Sequence, residues 1–64
     1  MPIQVPEDVL NGITAVRDSG ETNMLDRARV IELLEAMGHF EAASWVAGNR
    51  EEYSRGIFQG FEAK

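Results

Sequence analysis

Cysteine is absent from this 64-residue chain, and histidine occurs once, at His39. Disulfides and thiolate metal sites are therefore excluded, and a histidine-rich metal site with them. Bases are scarce. Six Lys or Arg stand against eleven Asp or Glu, a formal charge of −5. Binding to duplex DNA or RNA depends on clustered cations that neutralise phosphates, so this balance opposes it. No apolar run is long enough to span a bilayer, and the opening residues carry no basic, apolar leader. The expectation is a soluble protein of the cytoplasm, without membrane contact, metal or cofactor. No segment alternates with period two, so no strand is predicted, and no repeat or low-complexity stretch is found.

What remains is a single small helical domain over residues 1–64. A chain of this size buries only about 60% of the surface it exposes when unfolded, and its one core supplies on the order of 3–5 kcal/mol. With disulfides and metals excluded, self-association is the reinforcement left. The predicted fold class is all-α: a compact bundle of about four short helices, completed by homo-oligomerisation.

Residues 1–5 read as a short apolar arm. Pro6 suits a first helical turn, where its missing N–H is not needed, and Glu7 and Asp8 favour the positive end of a helix. Val9, Leu10, Ile13 and Val16 then recur at one-face spacing. This helix should end near Asp18, with Gly20 taking a left-handed backbone. A second helix starts at an Asp26 cap, with Leu25 and Val30 placed as a hydrophobic staple. Its apolar face is Val30, Leu33, Leu34 and Met37, and Gly38 stops it. A third helix carries Phe40, Ala42, Trp45 and Val46 and ends at Gly48. In the fourth, Asn49 and Glu52 have capping-box spacing, and Tyr53, Ile57 and Phe61 form a stripe at i, i+4, i+8. All five aromatics lie in the last 25 residues. Trp45 and Tyr53 read as core. Phe58 is one step off the stripe, so it either widens the apolar face or points outward into a contact between copies.

The residues for catalysis are thin. A serine triad needs a base, and only His39 is available, at a helix junction. The acidic pairs read as solvated faces, and a chain this small cannot easily wall off a dry active site. The expectation is a non-enzymatic protein. A helix-turn-helix reading fails because the third helix offers no Arg, Lys, Asn or Gln for base edges. A carrier-protein reading of Asp18-Ser19 fails because Gly20 follows the serine where a bulky apolar residue should stand.

The segment Val16-Arg17-Asp18-Ser19-Gly20-Glu21-Thr22-Asn23-Met24-Leu25-Asp26 interrupts the amphipathic pattern. A loop entering a helix start presents N–H groups and the positive end of the helix dipole, which can receive an anion. Arg17 adds a guanidinium suited to two-pronged contact. Ser19, Thr22 and Asn23 add donors, and with Asp26 as cap the last two are free for other work. Arg27 sits in the first turn of the next helix against its electrostatic preference. The candidate ligand-binding residues are Arg17, Ser19, Thr22, Asn23, Met24 and Arg27. The competing reading is a structural loop, with Asp18 and Ser19 making turn bonds and Met24 and Leu25 plugging the core.

This segment, with Tyr53, Ile57 and Gly60, resembles a family of small proteins of tailed phages and prophages catalogued as a domain of unknown function. The family pattern runs Ile-Arg-Asp-Ser-Gly-x-Thr-Asn-Met-Phe-Asp, a helix, then Tyr and Ile-x-x-Gly. Val16 and Leu25 are mild departures. The resemblance implies a phage protein in the cytoplasm of an infected bacterial host, and it carries no activity with it. Two roles are then open. In one, copies pack together, with Gly12 and Gly56 at close contacts between them. Pockets lined by the Arg17–Asn23 loop then sequester a cyclic nucleotide or nucleoside phosphate acting as an immune signal. In the other, the acidic surface docks onto and inhibits a basic host or phage protein.

Overall fold

The structure is a computed structural model that describes residues 1–64. The chain runs β1 (Ile3–Val5), α1 (Glu7–Ser19), α2 (Arg27–Ala36), α3 (Phe40–Gly48), α4 (Arg50–Gln59) and β2 (Phe61–Ala63). Four helices appear where the apolar periodicity placed them. Their boundaries follow the expected chemistry at several ends. Pro6 precedes α1, Glu7 and Asp8 occupy its first turn, and Gly20 closes it at φ 67° with its N–H donating to the Arg17 carbonyl. Asp26 caps α2, its Oδ1 accepting from the Arg29 N–H at 3.2 Å.

The two strands add a small sheet that the all-α expectation lacked. β1 pairs with β2 in parallel, with Ile3 opposite Phe61, Gln4 opposite Glu62 and Val5 opposite Ala63. The residues read as an arm are thus half of a sheet, and Val5 is fully buried. A three-residue strand holds a single alternation, too little to register as a period. The pairing also joins residues 58 apart, which no local turn signal announces. Phe61 leaves the helical stripe for the same reason. Gly60, at φ 92°, ends α4 with its N–H donating to the Gly56 carbonyl. Beyond it the chain returns along β1.

Two local expectations are also corrected. Asn49 does not form a capping box. Its Nδ2 donates backwards to the Trp45 carbonyl at 2.9 Å, and its side chain makes no cap bond to α4. Leu25 does not staple Val30. Val30 is fully buried, but Leu25 is 58% exposed. The Asn23 side chain accepts from the Leu25 N–H at 2.8 Å, and this turn sets Met24 inward and Leu25 outward.

The core joins Val5 of β1, Val9, Ile13 and Val16 of α1, Val30, Leu33 and Leu34 of α2, Ala42, Ala43 and Val46 of α3, and Tyr53 of α4. Glycine enables two close approaches inside it. A Cβ on Gly12 would lie 2.5 Å from the Ala42 Cβ, 3.0 Å from Leu34 and 3.1 Å from His39. A Cβ on Gly56 would strike the Phe61 ring. Both glycines serve contacts within the chain, Gly12 letting another helix approach closely as its small size suggests. Phe61 meets Trp45 edge-on, with centroids 6.1 Å apart, and lies 5.9 Å from Tyr53. Phe58 points outward at 79% exposure, and Phe40 is also exposed.

The Gly12 contact leaves no room for a methyl group, because Ala42 and Leu34 are themselves buried. Gly12→Ala should destabilise the fold by about 1–3 kcal/mol through overpacking, despite alanine's better helix propensity. Chemical denaturation, comparing midpoints at constant slope, checks this.

Candidate functional site

The polar loop is tied to α4 through Tyr53. Tyr53 projects from α4 into the core, where its ring is buried. A buried phenol needs a partner. It finds one in the loop, its hydroxyl donating to the Met24 carbonyl at 2.6 Å. Burial pushes the Tyr53 pKa up to about 12 from its usual 10.0. The loop's other bonds are local. Ser19 Oγ donates to the Val16 carbonyl at 2.7 Å and accepts from the Glu21 N–H at 3.3 Å. The Asp26 N–H donates to the Asn23 carbonyl.

Beneath this loop a groove of about 160 Å³ runs between α1 and α4. On one side α1 presents Leu10, Ile13, Thr14 and Arg17 at i, i+3, i+4 and i+7, a single helical face. On the other side are Gly56 and Ile57 of α4, with Gly60 and Phe61 beyond its end. Met24 closes the loop end. The walls are mostly apolar. Their charged group is Arg17, whose side chain is 66% exposed and whose Nε pairs with Asp18 at 3.6 Å.

Of the six residues expected to bind, the structure brings two together on this groove, Arg17 and Met24. Ser19 and the side-chain oxygen of Asn23 are engaged in the loop's own turns. Thr22 is half-buried. Arg27 points elsewhere, its Nη1 donating to the Val46 and Ala47 carbonyls at 3.3 Å each. It covers the last turn of α3, where a cation is electrostatically favoured. That bond accounts for its unfavourable place at the start of α2. The α2 N-terminus is likewise taken, since Asp26 already accepts there. Among the wall residues, periodicity places Leu10 and Ile13 on the apolar face of α1 and Ile57 on the stripe of α4, with no sign that they line a groove. Thr14 belongs to no motif. Its position midway between Leu10 and Arg17 on the amphipathic border is the signal that marks it.

A second, wider depression of about 410 Å³ opens where the start of α1 meets the α2–α3 turn. Asp8, Glu41, His39 and the exposed Phe40 line it. Two carboxylates at its wall suit it poorly to an anion. No group of three or more His, Asp or Glu is placed to hold a metal ion, and no helix is long and apolar enough to cross a membrane.

The molecule is thus a small, mostly helical protein, 66% helix with one two-stranded parallel sheet, carrying an apolar groove with a guanidinium at its rim. The chain belongs to the family described as "Domain of unknown function (DUF5049)", whose model matches residues 5–61. No curated protein matches it, and no solved structure does.

The Tyr53 hydroxyl is the long-range bond that holds the loop over the groove. Tyr53→Phe leaves the Met24 carbonyl without its donor and should cost about 1–2 kcal/mol. Thermal unfolding gives the loss, and faster amide exchange at residues 21–26 locates it. The raised pKa also makes stability fall in alkali. The neutral phenol's contribution is intact below pH 10 and is lost as pH rises through about 12, because the unfolded tyrosine ionises first. An unfolding series from pH 9 to 12 should show that loss, with Tyr53→Phe removing this component of it.

Proposed function

We propose that the protein acts by binding, not catalysis, and that the groove between α1 and α4 withholds a phosphorylated nucleotide-type ligand. The observation that carries this reading is Arg17, a single guanidinium at the rim of a mostly apolar groove. A planar apolar body suits the walls, and an anionic group suits the fork above them. The ion pair with Asp18 is exposed and made through Nε, so it competes weakly for the two terminal nitrogens. Thr14, one turn from Arg17, offers a hydroxyl on the same wall. The volume of about 160 Å³ lies below the roughly 300 Å³ at which pockets for such ligands begin. A second copy of the chain completes the enclosure in this reading. The ligand is a cyclic nucleotide or a nucleoside phosphate. In the phage setting that the sequence resemblance implies, the role is removal of an immune signal inside the infected bacterium.

A second reading is favoured by the other face. Phe40, 68% exposed, stands beside Asp8 and Glu41 at the wider depression, on a chain of charge −5. A basic host or phage protein is the partner that such a surface would dock.

Calorimetric titration with a panel of cyclic nucleotides and nucleoside phosphates separates the two. The expected result is saturable heat with at least one of them, its affinity reduced about tenfold or more by Arg17→Ala. Because Arg17 is exposed, that variant should keep its helical signal. Absence of heat with every nucleotide, together with capture of a basic protein lost on Glu41→Lys, supports the second reading.

A further inference from the structure

We propose that the exposed face of α4, centred on Arg55 and Phe58, is the surface through which two copies of this chain pair, side by side and antiparallel. The inference concerns how copies meet and stands apart from what the groove holds. Phe58 is 79% exposed and contributes nothing to the core. Arg55 lies one turn before it at i, i+3, also exposed, and no carboxylate lies within ion-pair distance of it.

An isologous contact sets residue i of one copy against residue j of the other, and j against i. Two α4 helices related by a two-fold axis passing between residues 56 and 57 therefore place each Arg55 guanidinium over the partner's Phe58 ring. Guanidinium and ring attract through the ring's quadrupole, and the pair occurs twice. Arg and Phe are also among the residues enriched in interfaces.

Charge selects a second copy over a basic partner. The chain as a whole carries −5, so most approaches of two copies are repulsive. Within α4, Arg50 and Arg55 balance Glu51 and Glu52. Two copies meet there without net repulsion, whereas a basic protein gains little from a face of zero net charge. Area sets the extent of the contact. A stable interface takes about 800 Å² from each partner, roughly a fifth of this chain's 4053 Å². One face of a ten-residue helix, about 15 Å long, supplies only part of that. The rest must come from exposed surface flanking this face.

Sedimentation equilibrium of the full chain, without any nucleotide, tests the pairing. The expected mass is twice 7.1 kDa at micromolar to millimolar concentration. Phe58→Glu should shift it to the monomer, and Arg55→Ala should weaken association about tenfold. Both residues are exposed, so circular dichroism and melting temperature should be unchanged at concentrations where the wild type is monomeric. A 7.1 kDa species throughout, or a dimer that persists undiminished in Phe58→Glu, overturns the proposal. A dimer lost on Phe58→Glu upholds the pairing even if no nucleotide gives heat, in which case the groove reading alone falls.

Discussion

The hydroxyl of Tyr53 bonded to the carbonyl of Met24 is the contact on which the arrangement turns. It spans 29 residues, while the other side-chain bonds of the 19–26 loop reach no further than three. It is the hydrogen bond that ties the segment between α1 and α2 to α4. With it, Met24 is seated at one end of a groove whose two walls come from opposite ends of the sequence. Burial keeps the phenol in its donor form, so the bond is protected by the same core it helps to close.

The second constraint is steric. The protein has few large side chains to bury, and it obtains close packing by omitting atoms. Gly12 lets α1 settle onto Ala42 of α3, and Gly56 makes a seat for the ring of Phe61. The ring then lies between Trp45 and Tyr53. Close packing of this kind recovers dispersion energy that a loose core of the same residues would forfeit. Phe58 and Phe40, two of the five aromatics, face solvent.

Much of the helical frame was legible because its signals are local. Pro6 with Glu7 and Asp8, the Gly20 stop and the Asp26 cap each depend on residues within one turn of each other. The 3.6-residue recurrence of Val9, Ile13 and Val16 is read in the same window. What escaped was non-local. Ile3 and Phe61 give no sign of being strand partners, since three residues cannot display a period. Asn49 and Glu52 have the spacing of a capping box, yet the Asn49 amide finds a nearer acceptor in the carbonyl of Trp45. Arg27 looked like a ligand for an outside anion because it sits at a helix start. Its actual partners are carbonyls 19 and 20 residues away, at the end of another helix. For the candidate site, Arg17 and Met24 were visible as a polar break in an amphipathic pattern. The opposite wall was not, because glycine and isoleucine near a helix end look alike whether they line a groove or a core.

The parallel pairing of β1 with β2 has a consequence for how the chain comes to be folded. Val5, wholly enclosed, belongs to a strand whose partner is made some 58 residues later. During synthesis the helices can form and begin to associate, but the first strand waits with nothing to zip onto until Phe61–Ala63 have left the ribosome. Closing so wide a circuit is entropically the last step to become worthwhile. The native arrangement is therefore sealed by Phe61–Ala63, and any nascent or clipped chain that lacks them would leave an oily seam unshielded along β1.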